Sequence, residues 1–353
     1  MTKAELEVVL GTPGPFVPDQ LIEGFVGVTV NRSCRCRALT VTLEWYTHGR
    51  GNRKTGAVQT VVVFDGDLVA GEKGLYPFTL TVPPGPFSYE GTVVSLGWRV
   101  RANADLPWAF DPKTETTIVV VPGVEPLHSV DHGPASLSRR GSNGLGDVAT
   151  LVVGSLFIFV PALIVGPLSL GFLLACVGQP GLANLFPAVI TAGMGTIFTY
   201  VGYRVVRPAF IRIMARRRIS VFEITVSDTV SPGETVDVRL EITPRSDLLA
   251  EEVRVELRLA EVAVSGSGTK KKTHSHKETL ASVVLNHAGT LQARRPVTFS
   301  GTLTIPDAVG LSFAAIQNSV SYQLVGVVDC PGVFDPEQSV HVKVVPTNLT
   351  RGR

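Results

Sequence analysis

The chain has 353 residues, about twice a typical single domain, so its length predicts two domains. It is 44% apolar and only 18% charged, and Lys plus Arg (32) nearly balances Asp plus Glu (30) for a net charge of +2. That balance excludes a dedicated nucleic-acid binder, which carries a basic domain or stripe, and the high apolar content excludes general disorder despite 35 Gly and 24 Pro.

Residues 1–127 read as β. The segments Val26–Val30, Leu39–Trp45, Val58–Phe64, Tyr76–Val82, Thr92–Ala102 and Thr117–Val121 are rich in β-branched and aromatic residues, with Gly, Pro and Asp between them. This pattern predicts a sandwich of antiparallel strands. Thr40–Trp45 alternates strictly, the mark of a strand with one buried face. A polar linker, 128–147, follows.

From Val148 to Tyr203 the chain contains no Asp, Glu, Lys or Arg at all. The charge deficit is therefore local, and the flanks on either side have an ordinary soluble composition. The turn signal Gly178-Gln179-Pro180-Gly181 divides the stretch into two apolar runs, 148–177 and 183–206. A bilayer core about 30 Å thick needs about 20 helical residues, and both runs exceed that length. Residues 148–206 are thus predicted to form a two-span transmembrane helical hairpin. Arg139 and Arg140 precede it, Arg204, Arg207, Arg212, Arg216, Arg217 and Arg218 follow it, and the turn carries no charge. By the positive-inside rule both termini are cytoplasmic, which predicts an integral membrane protein with both β parts on the cytoplasmic side. The six arginines of 204–218 suit anionic headgroups, and the basic segment 207–218 either extends the second span or lies on the membrane surface. Ala162 and Gly166, and Thr191, Gly195 and Thr199, recur every four residues, a spacing that lets helix backbones approach. Packing the two spans together is their expected use, with homo-oligomer formation the alternative. No carboxylate, Lys or Arg sits in the apolar interior, so the hairpin reads as an anchor rather than an ion path.

Residues 219–346 are β again, followed by a tail, 347–353. Val253–Leu259 alternates as Thr40–Trp45 does, and Val236–Ile242, Phe299–Pro306 and Val320–Val325 are further strands. Gly266–Lys277 falls between strand-like runs and reads as a long hairpin tip. Its Lys270, Lys271 and Lys272 are candidates for contact with anionic lipid or an acidic partner.

The two β halves repeat one another. Phe110-Asp111-Pro112 recurs as Phe334-Asp335-Pro336, and at the same offset Val120-Val121-Pro122 recurs as Val344-Val345-Pro346. Ser88 and Ser312, Ser95 and Ser319, and Trp98 and Tyr322 share that offset too. Phe16–Gln20 ahead of Val26–Val30 likewise parallels Val230–Glu234 ahead of Val236–Ile242.

The order Tyr76–Pro84, then Ser88-Tyr89-Glu90-Gly91, then Trp98–Ala102, resembles the closing half of an arrestin-type N-domain. Phe299–Pro306, Ser312-Phe313 and Val320–Val325 are similar to the C-domain counterpart. The resemblance covers residues 1–127 on the N-terminal side and Ile219–Pro346 on the C-terminal side. It implies two arrestin-like antiparallel β-sandwich domains, mainly β, acting as a scaffold or adaptor that binds another protein without catalysis. The chain departs from arrestins in carrying a membrane hairpin between the domains. The buried ionic cluster and phosphate-sensing lysines of animal arrestins have no matching motif positions here, so a phosphoreceptor role is not implied. Bacterial and vesicle-sorting relatives are the closer analogy.

Other chemistry is sparse. Cys34-Arg35-Cys36 and His274-Ser275-His276 share a spacing that puts each pair on one face of a strand, but neither has zinc-knuckle spacing, and free thiols are the expected state. Asp65-Gly66-Asp67 resembles a turn. No nucleophile elbow, phosphate loop or dinucleotide fingerprint occurs, so no catalytic residue, metal or cofactor is expected. The function expected is a membrane-anchored adaptor. The competing expectation is a subunit of a secretion or transport complex whose hairpin makes the specific contacts.

Overall fold

The computed structural model describes residues 3–107, 110–123, 218–331 and 335–347, and between them residues 171, 174, 189–190, 193–194, 196–197, 200–201, 203–204 and 206–207. The N-terminal part holds β1 (Ala4–Leu10), β2 (Leu21–Val30), β3 (Cys34–Gly49), β4 (Thr55–Leu68), β5 (Lys73–Thr81), β6 (Val94–Asp105) and β7 (Lys113–Ile118). They form two antiparallel sheets, β1-β2-β5 and β4-β3-β6-β7.

The C-terminal part holds β8 (Ile219–Thr225), β9 (Thr229–Val230), β10 (Thr235–Pro244), β11 (Leu248–Ser265), β12 (Lys272–Leu291), β13 (Val297–Thr304), β14 (Phe313–Ala315), β15 (Asn318–Asp329) and β16 (Glu337–Val344). Its sheets are β8-β10-β13 and β12-β11-β15-β16-β9, with β14 added to β15. The long strands therefore follow the same order in both parts. A strand overlaps every predicted run of both halves, and most are longer than their apolar signal; β7 begins and ends earlier than the predicted Thr117–Val121, and β1, β8, β9, β14 and β16 are additions.

Alternation explains the layers. In β2 the inward positions are Ile22, Gly24, Val26, Val28 and Val30, and in β10 they are Val236, Val238, Leu240, Ile242 and Pro244. Each fully buried Val, Leu or Ile contributes about 1.5–3 kcal/mol. Gly24 interrupts the β2 series because a Cβ there would lie 2.7 Å from the Phe78 ring and 2.4 Å from the Val9 carbonyl. Trp98 and Tyr322, the repeat pair, are each buried at the centre of their own sandwich.

Hydrogen bonds repeat with the sequence. Ser88 Oγ accepts from Val120 N at 3.0 Å, and Ser312 Oγ accepts from Val344 N at 2.9 Å. Asp111 Oδ1 accepts from Leu106 N at 3.2 Å, and Asp335 Oδ1 from Cys330 N at 3.0 Å. All of these pairs stand at the offset of the sequence repeat. Ahead of β2, Gln20 Oε1 accepts from Val17 N at 3.0 Å, as Glu234 Oε2 does from Ser231 N at 2.7 Å ahead of β10. In the same turn Asp19 (φ 65°) and Gly233 (φ 75°) take the left-handed conformation. These residues stand at a shorter offset, so the register between the halves shifts in the stretch containing the β3–β4 and β11–β12 hairpins. β11 and β12, of 18 and 20 residues, are longer than β3 and β4, of 16 and 14. The extra residues lengthen the second hairpin.

Two local expectations are corrected. Asp65-Gly66-Asp67 is not a turn but part of β4, opposite Cys36 and Arg35 across a bulge in β3. Arg35 pairs with Asp65 at 2.6 Å, and that cross-strand attraction supports two acidic residues in extended backbone. The tip of the second hairpin is shorter than Gly266–Lys277: a 3-10 turn at Gly268–Lys270 closes it, and Lys272–Lys277 already pair with β11.

Candidate functional site

The two sandwiches meet through matching ends of their large sheets. β11 alternates inward from Val253 through Val255, Leu257 and Leu259, and the next inward position is Glu261, only 1% exposed. Its carboxylate accepts from Tyr89 OH (2.7 Å) and Thr92 N (3.2 Å) at Oε1, and from Val93 N (2.7 Å) and Val94 N (3.4 Å) at Oε2. All four donors belong to the N-terminal sandwich. Burial by itself raises the Glu261 pKa, but the hydrogen bonds from Val93, Tyr89, Thr92 and Val94 outweigh it and hold the carboxyl below its ordinary value. Tyr89 is pushed strongly upward by burial and by its bond to that carboxylate. Tyr322 is raised by burial and by the same charge.

The repeat makes this junction pseudo-symmetric. Thr47 on β3 holds the position of Glu261, and Asn318 that of Val94. Asn318 Nδ2 donates to Thr47 Oγ1 and to Asn52 O, both at 2.9 Å. Tyr89 and Phe313, also equivalent, each pack against both cores, and Phe313 meets Trp45 edge-on with centroids 5.8 Å apart. Val93 and Val94 are buried in the C-terminal core. The junction is a continuation of both interiors, so the sandwiches form one body.

The tips of the two long hairpins are stapled beside it. Asn52 N donates to Val264 O (2.9 Å), Asn52 Nδ2 donates to Gly266 O (2.8 Å), and Gly266 N donates to Asn52 Oδ1 (3.0 Å). Lys270, Lys271 and Lys272 stand exposed on one tip, with Arg50 and Arg53 exposed on the other. Arg53 lies over the Tyr46 ring at 4.5 Å.

A separate surface lies on the outer face of β1-β2-β5. Val9 pairs with Phe25, and Phe25 with Pro77, while Leu75 stands in the neighbouring row. Val9 and Phe25 are each 48% exposed and Leu75 is 73% exposed. The equivalent row of the C-terminal sandwich is Thr225, Arg239 and Ser300, an ordinary polar exterior. Apolar side chains adjoining on an exposed sheet face mark interaction surfaces when they form a patch.

The remaining expected residues fall as follows. Arg204 and Arg207 are exposed and helical, with their guanidinium groups 5.9 Å and 5.7 Å from the Tyr200 and Tyr203 ring centres. Arg218 is exposed where the C-terminal sandwich begins, its carbonyl accepting from Arg245 N at 2.7 Å. Arg212, Arg216, Arg217, Ala162, Gly166, Thr191, Gly195 and Thr199 lie outside the described residues, as does most of the predicted hairpin. Among the described residues no helix is long and apolar enough to cross a membrane. The described positions between 189 and 207 are helical, and Val189, Ile190, Met194, Ile197, Tyr200, Val201 and Tyr203 expose apolar surface.

Cys34 and Cys36 stand at the start of β3, whereas His274 and His276 stand near the tip of the β11–β12 hairpin beside the other end of β3. The two pairs are thus kept a strand length apart, and no group of three or more potential metal ligands occurs among the described residues. His274 Nε2 lies 3.2 Å from Ser265 Oγ, and His276 Nε2 lies 3.4 Å from Glu278 Oε2. These histidines are in β12, not in the hairpin tip where the sequence places them. Burial raises the pKa of Cys36, partly offset by a backbone hydrogen bond from Ala38, and pushes Cys330 up to about 11.

Glu261 was not among the sequence candidates. Its signal was a carboxylate at the inward parity of an otherwise apolar alternation. The exposed Val9–Phe25 pair gave no signal, because the facing of a strand's outer residues depends on what covers the sheet. The chain matches no known family in a scan of family models, and no curated protein matches it either.

Proposed function

We propose that this chain is a membrane-anchored, cytoplasm-facing adaptor that binds another protein through a rigid pair of arrestin-like β-sandwiches. The observation that carries the reading is the apolar row Val9–Phe25–Pro77 with Leu75, exposed on one sandwich while the duplicate row on the other is polar. Duplicated sheets share a core requirement, so a difference confined to the outer face reflects what that face meets rather than folding. The exposed apolar side chains between Val189 and Tyr203, followed by Arg204 and Arg207, fit a span ending at a headgroup layer. Anchored this way, both sandwiches are held near the bilayer, and a weak partner contact gains from raised local concentration. Strand addition at an open sheet edge is a second means of docking for the same partner.

Crosslinking from native membranes with mass spectrometry tests the reading. A Phe25→Glu chain should lose the predominant crosslinked protein while remaining folded and membrane-bound, and an unchanged crosslink pattern refutes it. Replacing residues 148–206 by an unrelated hairpin separates the adaptor from a subunit of a larger membrane complex: the adaptor keeps its partner after the swap. Reporter fusions at the two termini should both read cytoplasmic.

A further inference from the structure

We propose that the stapled tips of the β3–β4 and β11–β12 hairpins form one binding surface for an acidic polypeptide segment. Arg50 and Arg53 come from one sandwich and Lys270, Lys271 and Lys272 from the other, and all five are exposed. Asn52 fixes their juxtaposition through its three hydrogen bonds to Val264 and Gly266. The turns themselves are set by Gly49 (φ 124°), Gly266 (φ 78°) and Gly268 (φ 56°), so the charges sit on ordered backbone rather than on a tail. Among the described residues no carboxylate lies within ion-pair distance of any of the five, although ion-pair ladders line the outer faces of both large sheets. Glu278, the nearest acid along β12, faces His276 instead.

Two other accounts of these charges explain less. Lysines on an edge strand guard against edge-to-edge pairing, which covers Lys272 on β12 but not the arginines of the other tip. A lipid surface fits the charge but not the place. This step rests on the anchored reading above. Arg218, where the C-terminal sandwich joins the anchor, lies beside Arg245 and the start of β11. β11 runs from there for 18 residues, which at about 3.3 Å per residue puts the tip roughly 55 Å away. The Lys270–Lys272 tip is thus at the end of the C-terminal sandwich remote from that sandwich's tether. Neither turn carries Phe, Tyr or Trp between residues 48 and 54 or 265 and 272, and the nearest ring, Tyr46, is half-buried with the Arg53 and Arg99 guanidinium groups against it, so no free platform for stacking bases is offered there. A flexible acidic segment is the remaining match, with charge complementarity steering its encounter.

The test uses the full chain in neutral-lipid nanodiscs and a fluorescent Glu/Asp decapeptide followed by anisotropy at low and at raised salt. Binding should weaken with salt, and R50E/R53E and K270E/K271E/K272E should each weaken it about tenfold or more without shifting the melting temperature. Should the arginine reversal fail to fold, R50Q/R53Q replaces it and should still weaken binding severalfold. No effect from the arginine substitutions overturns the proposal, as does tighter binding of the same surface to vesicles containing anionic lipid or to a single-stranded oligonucleotide. Co-sedimentation of the chain with the nanodiscs reports the anchor separately, so a failed anchor and a failed peptide site give different results.

Discussion

Glu261→Ala is the sharpest probe of the domain junction. The substitution removes the acceptor for Tyr89 OH and for the Thr92, Val93 and Val94 amides; Val93 and Val94 are buried, Tyr89 is half-buried and Thr92 is exposed. Two of these bonds, from Tyr89 and Val93, are 2.7 Å long, and the others are longer. A buried donor left without an acceptor costs about 1–3 kcal/mol, so the Val93 amide alone predicts a loss of that size and the half-buried Tyr89 hydroxyl adds a smaller one, about 2–4 kcal/mol together. Against a domain stability of about 5–15 kcal/mol this is a large fraction. Glu261→Gln keeps the volume and one acceptor but turns an amide NH2 toward backbone donors, and should cost about 2 kcal/mol. Urea denaturation of the full chain in neutral detergent, followed by tryptophan fluorescence, reads the change. Trp45 stands against Phe313 at the junction and Trp98 lies in the N-terminal core, so both the interface and one interior contribute. A loss below about 1 kcal/mol for Glu261→Ala would show that the clasp is not what joins the sandwiches.

The same carboxylate sets a pH dependence. Its pKa in the folded chain lies below the ordinary value, so its contribution is full above the unfolded pKa of about 4.3 and is lost as pH falls through the folded value. Melting temperature should therefore drop more steeply below about pH 4 in the native chain than in Glu261→Gln. Glu44 and Arg99 form a pair 2.6 Å apart, both nearly buried, and Glu44→Ala should cost about 1.5–3 kcal/mol in the same denaturation assay, because Arg99 loses one charged partner but keeps Glu115 and the Tyr46 ring. Gly24→Ala should destabilise by about 1–3 kcal/mol, because its Cβ has no room between the Val9 carbonyl and the Phe78 ring. Asn318→Ala removes the donor shared by Thr47 and Asn52 and should lower the urea midpoint less than Glu261→Ala does, since no charge is involved.

The sequence by itself determined the layers and the duplication. A strand's two faces alternate with every residue, so Thr40–Trp45 and Val253–Leu259 declared their buried sides locally, and turn residues such as Ser88 and Ser312 or Asp111 and Asp335 recur because each makes the same hydrogen bond in its own sandwich. What the tertiary structure alone decided involves residues far apart in the chain. Glu261 meets donors from 167 to 172 positions earlier, and Asn52 meets Gly266 after 214. No local period encodes such pairings. A carboxylate at an inward position reads as a fault in the strand until the Tyr89–Val94 loop supplies its donors. Phe25 reads as one more alternating residue until the sheet is seen to leave that face uncovered, and the five cations become one surface only when the two sandwiches dock.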